Sequence, residues 1–151
     1  MEQELPLLVV ATRNAHKTGE IRAMLAGKWE VKDLSDYPQA PPVDETGVTF
    51  TENATLKALS ASRCIPGVLL ADDSGLEIDY LDGAPGIYSA RFAGEDTSYD
   101  IKNRILLDKL EGVPDEERTA RFVCAISAVF PDGTSETVRG TIEGRIAYEI
   151  Q

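Results

Sequence analysis

Short apolar runs alternate with polar turns and amphipathic stretches along this chain, a pattern typical of an α/β fold. Residues 5–11 form the first apolar run and predict a buried strand. Residues 17–25 follow with apolar positions at helical spacing, and the predicted apolar side comprises Ile21, Met24 and Leu25. A polar loop at residues 12–16 therefore joins a strand to a helix.

The next elements are bounded by clear start and stop signals. Residues 29–32 alternate and predict a short strand, and the proline-rich residues 37–42 predict an extended connection. Thr49 and Glu52 have capping-box spacing, which indicates the start of a helix that runs to about Ser62.

The second half of the chain predicts one further helix and an apolar hairpin. Residues 98–110 predict a helix whose apolar stripe comprises Ile101, Ile105, Leu106 and Leu110. Residues 121–130 are strongly apolar, 131–133 predict a hairpin turn, and 134–140 predict the partner strand. Extended character continues through residues 142–148.

Candidate chemistry is concentrated at Asp72 and Asp73, which directly follow the apolar residues 68–71. This run predicts a strand that delivers both carboxylates to its carboxyl end, where open α/β sheets place their ligands. Adjacent carboxylates repel each other, and Mg²⁺ removes that repulsion while keeping waters and substrate phosphates as further ligands. A solvated Asp-Asp turn that ends in Ser74 and Gly75 accounts for the same residues, so both interpretations stay open.

The loop before the first helix is a second candidate. Helix N-termini favour phosphate, Lys17 adds a full charge there, and Asn14 suits either a cap or a ligand contact. The loop lacks the glycines of a Walker sequence, so an ordinary strand-loop-helix turn is the alternative. Asn53 and Lys57 stand four residues apart on one helix face and reach toward Asp72, unless that face is simply solvated.

Composition narrows the class of protein. The chain has 151 residues, 42% of them hydrophobic, which predicts one globular domain. Its net charge is 15 − 26 = −11, which argues against nucleic acid and membrane surfaces as partners. Cys64 and Cys124 form no CxxC pattern and indicate reduced packing residues in a cytoplasmic protein. The start of the chain lacks a basic signal-peptide region, and no apolar run is long enough for a membrane helix.

Four blocks of sequence resemble the inosine triphosphate pyrophosphatase family, whose members hydrolyse non-standard purine nucleoside triphosphates. Residues 12–17 with Glu20 resemble the family's T/S-x-N-x-x-K-x-x-E opening. Residues 45–57 resemble E-T-G-x-T-F-x-E-N-A-x-x-K, and residues 71–76 resemble A-D-D-S-G-L. Residues 83–92 resemble G-A-P-G-x-Y-S-A-R-Y/F. The four blocks occur in the family's order.

The resemblance implies a role for each matching residue. Lys17 would hold the triphosphate with help from the backbone of Thr12, Arg13, Asn14, Ala15 and His16. Lys57 and Asn53 would bind substrate from the facing helix, and Ser74 would touch the nucleotide. Glu45, Asp72 and Asp73 would place Mg²⁺, and Asp73 would be the general base. The implied fold is an elongated, two-lobed α/β structure with a long mixed sheet flanked by helices, and the implied assembly is a homodimer.

The residues support phosphoanhydride hydrolysis in their own right, because that reaction needs charge neutralisation and a positioned water rather than covalent machinery. His16, the only histidine, receives no catalytic role. The family's later F-G-Y-D-P and S-H-R blocks, which read the base, are absent before Gln151. We therefore expect a single domain truncated at its C-terminal end, with weak base discrimination. Two alternatives stay open: a Maf-type pyrophosphatase with another base preference, and an inactive module that binds Mg²⁺ and polyphosphate.

Overall fold

The computed structural model describes residues 4–41, 46–89 and 98–149. Within these ranges the chain forms three α-helices: α1 (Ala15–Met24), α2 (Phe50–Ser62) and α3 (Tyr99–Lys109). It also forms β1 (Leu7–Val10), β2 (Glu30–Asp33), β3 (Val68–Ile78), β4 (Thr119–Val129) and β5 (Ser135–Arg145). Among the helices of these ranges, none combines the length and apolarity that a membrane crossing requires.

The strands form one mixed sheet in the order β2-β1-β3-β4-β5. β1 is parallel to both neighbours, with Val10 opposite Asp33 of β2 and opposite Leu70 of β3. β4 and β5 form a hairpin that is closed by Phe130 N–H donating to Thr134 O at 2.8 Å. All eleven residues of β5, the edge strand, are exposed. The predicted α/β class and mixed sheet are confirmed.

The chain divides into two compact units. The first comprises Met1–Asp73 and Ala125–Val138, and the second comprises Ser74–Cys124 and Arg139–Gln151. The boundaries fall within β3, β4 and β5. The single domain expected from the length of the chain stays a prediction.

In the first unit, the parallel strands carry apolar side chains on both faces. Leu8 and Val10 pack with Val31 and with Ile21 of α1, whereas Val9 and Leu69 pack with Ala58 and Ala61 of α2. Because successive strand residues point to opposite faces, α1 and α2 cover opposite sides of β1. Met24 is 75% exposed, so its predicted place on the apolar side of α1 is wrong.

In the second unit, α3 packs through its C-terminal half. Leu106 and Leu110 bury against Ile78 of β3 and Ala120 of β4. Ile101 is 53% exposed, so the predicted apolar stripe is wrong at its first position. The buried side of α3 instead comprises Lys102, Leu106 and Leu110 at i, i+4 spacing. The apolar stem of Lys102 thus occupies the buried position that was predicted for Ile101.

β3 passes straight through Asp72 and Asp73. The sequence predicts that the strand ends at these two carboxylates, but a single strand runs for eleven residues. Pairing of β3 with β1 ends at Leu70, and β4 is the other neighbour of β3 in the sheet. Pairing on the β4 side therefore keeps the turn-prone residues beyond Leu70 extended. The two carboxylates therefore do not end their own strand. They follow the last β1 pairing position, Leu70, by two and three residues.

Candidate functional site

The loop between β1 and α1 is built around Asn14. Its side-chain oxygen accepts hydrogen bonds from the N–H groups of His16 (3.0 Å) and Lys17 (3.3 Å), as an N-cap does. Thr12 Oγ1 accepts a hydrogen bond from Asn14 N–H at 3.1 Å and so holds the capping residue. The helix begins at Ala15, two residues before the predicted start, because the cap precedes Lys17 by three residues. The His16 amide, which the resemblance assigned to phosphate binding, thus donates to the N-cap side chain in this structure.

Arg13 faces away from the cap and holds a neighbouring segment. Its guanidinium donates to Leu34 O at 3.3 Å and to Ala40 O at 3.1 Å. Leu34 N–H returns a hydrogen bond to Thr12 O at 3.0 Å. The side chain of Arg13 therefore fixes the loop against the chain that follows β2. The substrate contact predicted for the backbone of Arg13 stays a prediction.

Lys17 and Asp72 meet although 55 residues separate them. Lys17 Nζ lies 2.9 Å from Asp72 Oδ1 and 3.0 Å from Oδ2, so the ammonium bridges both carboxylate oxygens. The Lys17 side chain is 36% exposed and the Asp72 side chain 21% exposed, so both reach solvent. His16 is a surface residue whose Nε2 lies 3.1 Å from Glu20 Oε1. Lys17, the candidate phosphate-binding cation, is thus in direct contact with Asp72, the candidate metal-binding anion.

A second lysine approaches Asp72 from the other helix. Lys57 of α2 donates from Nζ to the backbone oxygen of Asp72 at 2.8 Å. α1 and α2 cover opposite faces of β1, so two cations converge on this one residue from two helices. The predicted reach of Lys57 toward Asp72 agrees with this contact.

Asp73 and Asn53 are the buried polar residues of this site. Asp73 is 8% exposed, and Asn53 of α2 is fully buried. Asn53 Oδ1 accepts a hydrogen bond from Gly47 N–H at 2.8 Å, and a Cβ atom on Gly47 would lie only 2.7 Å from that oxygen. Asn53 Nδ2 is buried with no hydrogen-bond partner within the described ranges. A buried donor that lacks a partner costs free energy.

The predicted metal ligands are only partly described. Glu45 lies outside the described residues. Asp72 and Asp73 are consecutive in a strand, so their side chains point to opposite faces of β3. Within the part of the chain that the structure describes, no three acidic, histidine or cysteine side chains form a metal-binding cluster. A carboxylate with solvent access beside a lysine still fits Mg²⁺, which needs only one or two protein carboxylates when substrate phosphates complete its shell.

Ser74 is the first residue of the second unit. It is half-buried within β3. Nearby in that unit, Ser89 Oγ accepts a hydrogen bond from Leu76 N–H at 3.0 Å and donates to Gly86 O at 2.6 Å. Gly75 packs closely against the same residues, because a Cβ atom added to it would lie only 2.4 Å from Ser89 Oγ.

The sequence reasoning missed a buried carboxylate next to α1. Asp33, the last residue of β2, is 6% exposed and accepts hydrogen bonds from Thr18 Oγ1 (2.5 Å) and Ser35 N–H (2.8 Å). Burial alone would raise the pKa of Asp33, but the hydrogen bonds from Ser35 and Thr18 and the nearby charge of Arg22 outweigh burial and lower the pKa. Asp33 and Asp36 have the spacing of a capping box, which is the signal that marks this turn in the sequence.

Comparison with known proteins gives one consistent result. The profile of the Ham1 family matches residues 8–151. A dITP/XTP pyrophosphatase of Exiguobacterium sibiricum is 55% identical over 143 residues, which are 94% of this chain and 72% of the relative. A dITP/XTP pyrophosphatase of Geobacillus kaustophilus is 51% identical over 142 residues, covering 93% of this chain and 69% of the relative.

Solved structures agree with the sequence relatives. The Ham1 protein of Staphylococcus aureus matches with a TM-score of 0.85 at 39% identity, covering 94% of this chain and 72% of that protein. A HAM1 protein of Coxiella burnetii matches with a TM-score of 0.88 at 33% identity, covering 97% of this chain and 76% of that protein. The resemblance inferred from the four sequence blocks is confirmed, and the chain belongs to the Ham1 family.

Proposed function

We propose that this chain hydrolyses non-standard purine nucleoside triphosphates, such as ITP, dITP and XTP, to the monophosphate and pyrophosphate. The observation that carries the proposal is the convergence of Lys17 and Lys57 on Asp72. Two cations beside a carboxylate suit a triphosphate with its divalent ion, and the relatives named dITP/XTP pyrophosphatase supply the substrate class.

In this proposal, Lys17 and Lys57 bind the phosphates and stabilise the negative charge that develops on their oxygens. Asp72 holds both ammonium groups at the site before substrate binds, and Lys17 would exchange its contacts with the two Asp72 carboxylate oxygens for contacts with phosphate oxygens. The buried Nδ2 of Asn53 offers a neutral donor to the same anion. Arg13 contributes indirectly by holding the loop that carries Lys17.

Asp72 would hold Mg²⁺ together with the substrate phosphates, and Glu45 is the second candidate ligand. When bound, Mg²⁺ neutralises phosphate charge and lowers the pKa of a coordinated water. Asp73 is the proposed general base. Its buried carboxylate lies on the face of β3 opposite to the Asp72 side chain, so the attacking water would approach Asp73 from that face. Attack at the α-phosphate forms the new P–O bond, breaks the bridge to the β-phosphate and releases pyrophosphate.

The proposal is tested by pyrophosphate release from dITP and XTP in the presence of Mg²⁺, with dTTP and UTP as comparison substrates. Lys17→Met and Lys57→Met should each lower kcat/KM by about a hundredfold, because each removes charge stabilisation from the transition state. Lys32→Met is the matched control: Lys32 is half-exposed on β2 and 3.9 Å from Glu30, so its loss should leave kcat/KM unchanged. Equal activity of all three variants would contradict the proposed site.

The cellular setting is also proposed. The chain has only two cysteines, Cys64 and Cys124, and they form no CxxC pattern, which supports a reducing compartment such as the cytoplasm. The family resemblance supports a homodimer. Sedimentation equilibrium measures the assembly directly, and a monomer mass at all concentrations would contradict the dimer.

A further inference from the structure

The residue after Lys17 is buried against a carboxylate of the neighbouring strand. Thr18 is 2% exposed, and its Oγ1 donates to Asp33 Oδ2 at 2.5 Å. The same hydroxyl lies 3.2 Å from the backbone oxygen of Asn14, the N-cap of α1. A threonine in the first turn of a helix needs no such partner to be helical, so this contact calls for a separate explanation.

Asp33 is costly to bury unless its charge is well solvated by the protein. Its Oδ1 accepts hydrogen bonds from the N–H and the hydroxyl of Ser35, and its Oδ2 accepts the Thr18 hydroxyl. Because these bonds lower its pKa, Asp33 is ionised at neutral pH. A hydrogen bond from a hydroxyl to an ionised carboxylate is stronger than a hydrogen bond between two neutral groups. The bond from Thr18 to Asp33 therefore holds α1 against β2.

This hydrogen bond acts together with the contacts of the preceding loop. Leu34 N–H donates to Thr12 O at 3.0 Å, and Arg13 donates to the oxygens of Leu34 and Ala40. The segment that follows β2 thus bonds to Thr12 and Arg13, before the N-cap of α1. Asp33 bonds to Thr18, directly after Lys17. Lys17 lies between these two sets of contacts, and its side chain extends to Asp72.

We propose that Asp33 and Thr18 are positioning residues that fix the first turn of α1 so that the ammonium of Lys17 meets the substrate phosphates. The inference rests on the proposed function, because it assumes that Lys17 binds phosphate. A displacement of the charged group by about 1 Å is enough to lower a rate up to a hundredfold. The hydroxyl–carboxylate bond is therefore a determinant of activity although neither residue touches substrate.

The test compares Thr18→Val, which keeps the side-chain shape but removes the hydroxyl, with Thr18→Ser, which keeps the hydroxyl. Thr18→Val and Asp33→Asn should each lower kcat/KM for dITP with Mg²⁺ by about tenfold or more, whereas Thr18→Ser should stay within about twofold of wild type. Ser35→Ala is the matched control, because Ser35 donates to the same carboxylate from the turn after β2 and not from α1. It should lower thermal stability without lowering kcat/KM.

The same substitutions in a Lys17→Met background separate positioning from general destabilisation. If Thr18 acts through Lys17, Thr18→Val should have no further effect there, since the effects of coupled residues do not add. Thermal melts confirm that each variant is folded at the assay temperature, and Asp33→Asn replaces Thr18→Val if the latter is not.

The outcomes distinguish the two proposals. Unchanged kcat/KM in Lys17→Met would overturn the phosphate role of Lys17, and hence the proposed function at this site. A large loss in Lys17→Met with none in Thr18→Val and Asp33→Asn would overturn the positioning role alone. A Thr18→Val effect that persists in full in the Lys17→Met background would also overturn it.

Discussion

Replacement of Arg118 by methionine should strongly destabilise the second unit. Arg118 is 2% exposed although it carries a charge, and its guanidinium lies 4.2 Å from the centre of the Tyr148 ring. It donates to backbone oxygens of Leu110 (2.8 Å), Val113 (3.4 Å), Ile146 (3.0 Å) and Ala147 (2.9 Å). Leu110 closes the C-terminal end of α3, so one of these bonds satisfies a carbonyl that the helix leaves open.

The magnitude follows from the acceptors that methionine would leave behind. The Val113 contact is long and counts for little, which leaves three good bonds. A buried acceptor that loses its partner costs about 1–3 kcal/mol, with less cost where water reaches it. The Leu110 contact is buried, whereas those to Ile146 and Ala147 are partly buried, so the total is about 3–5 kcal/mol. This is a large fraction of the stability of an ordinary domain, about 5–15 kcal/mol.

Urea unfolding followed by far-UV circular dichroism measures the loss. Arg121→Met is the control, because Arg121 is an arginine of the same unit that lies among the surface carboxylates of Glu77, Asp79 and Glu143. Exposed ion pairs contribute little, so the control should lose much less stability than Arg118→Met. A loss below about 1 kcal/mol in Arg118→Met, or equal losses in the two variants, would refute the reasoning.

Three further predictions concern single residues. Gly75→Ala should cost about 1–3 kcal/mol of unfolding free energy, since its Cβ would lie 2.4 Å from Ser89 Oγ and 2.6 Å from Gly86 O. Gly19→Ala should instead stabilise the protein by about 0.5–1 kcal/mol, because nothing lies within 4 Å of its Cβ position inside α1; both are measured by urea unfolding. Asp33 has a lowered folded-state pKa, so its stabilisation is present above its unfolded pKa of about 3.9 and is lost as pH falls through the folded value. The gap in urea midpoint between wild type and Asp33→Asn should therefore shrink below about pH 4, and a gap that is constant with pH would contradict this.

The helices could be predicted because their signals are local. Asn14, Thr49 and Ser98 all cap helices, as the short polar residues before each apolar stripe indicate. The parallel strands could be predicted from apolar runs for the same reason. Capping and periodicity are decided by residues within one or two turns of each other, so a single sequence contains the needed information.

The course of β3 could not be predicted in this way. Asp72, Ser74 and Gly75 are typical turn residues, and local propensity favours a break at this point. β4 is the neighbour of β3 that remains beyond Leu70, and pairing with it overrides that propensity. Such pairing depends on residues far along the chain.

The candidate site shows the same limit. The sequence blocks singled out Lys17, Lys57 and Asp72, and the structure places these three residues in contact. The direction of Arg13 toward Leu34 and Ala40 could not be predicted, because a loop arginine gives no local sign of its partner. The hydrogen bond between Thr18 and Asp33 could not be predicted for a related reason, because it joins a helix to a strand residue fifteen positions away.

The most direct test of the central claim is the identity of the products that this chain forms from dITP with Mg²⁺, measured for wild type and for Asp72→Asn. We expect dIMP and pyrophosphate in equal amounts, and a rate lowered by about a hundredfold or more in Asp72→Asn, which loses the charge that contacts Lys17 and that is proposed to hold Mg²⁺. Release of orthophosphate with dIDP, or an unchanged rate in folded Asp72→Asn, would contradict it.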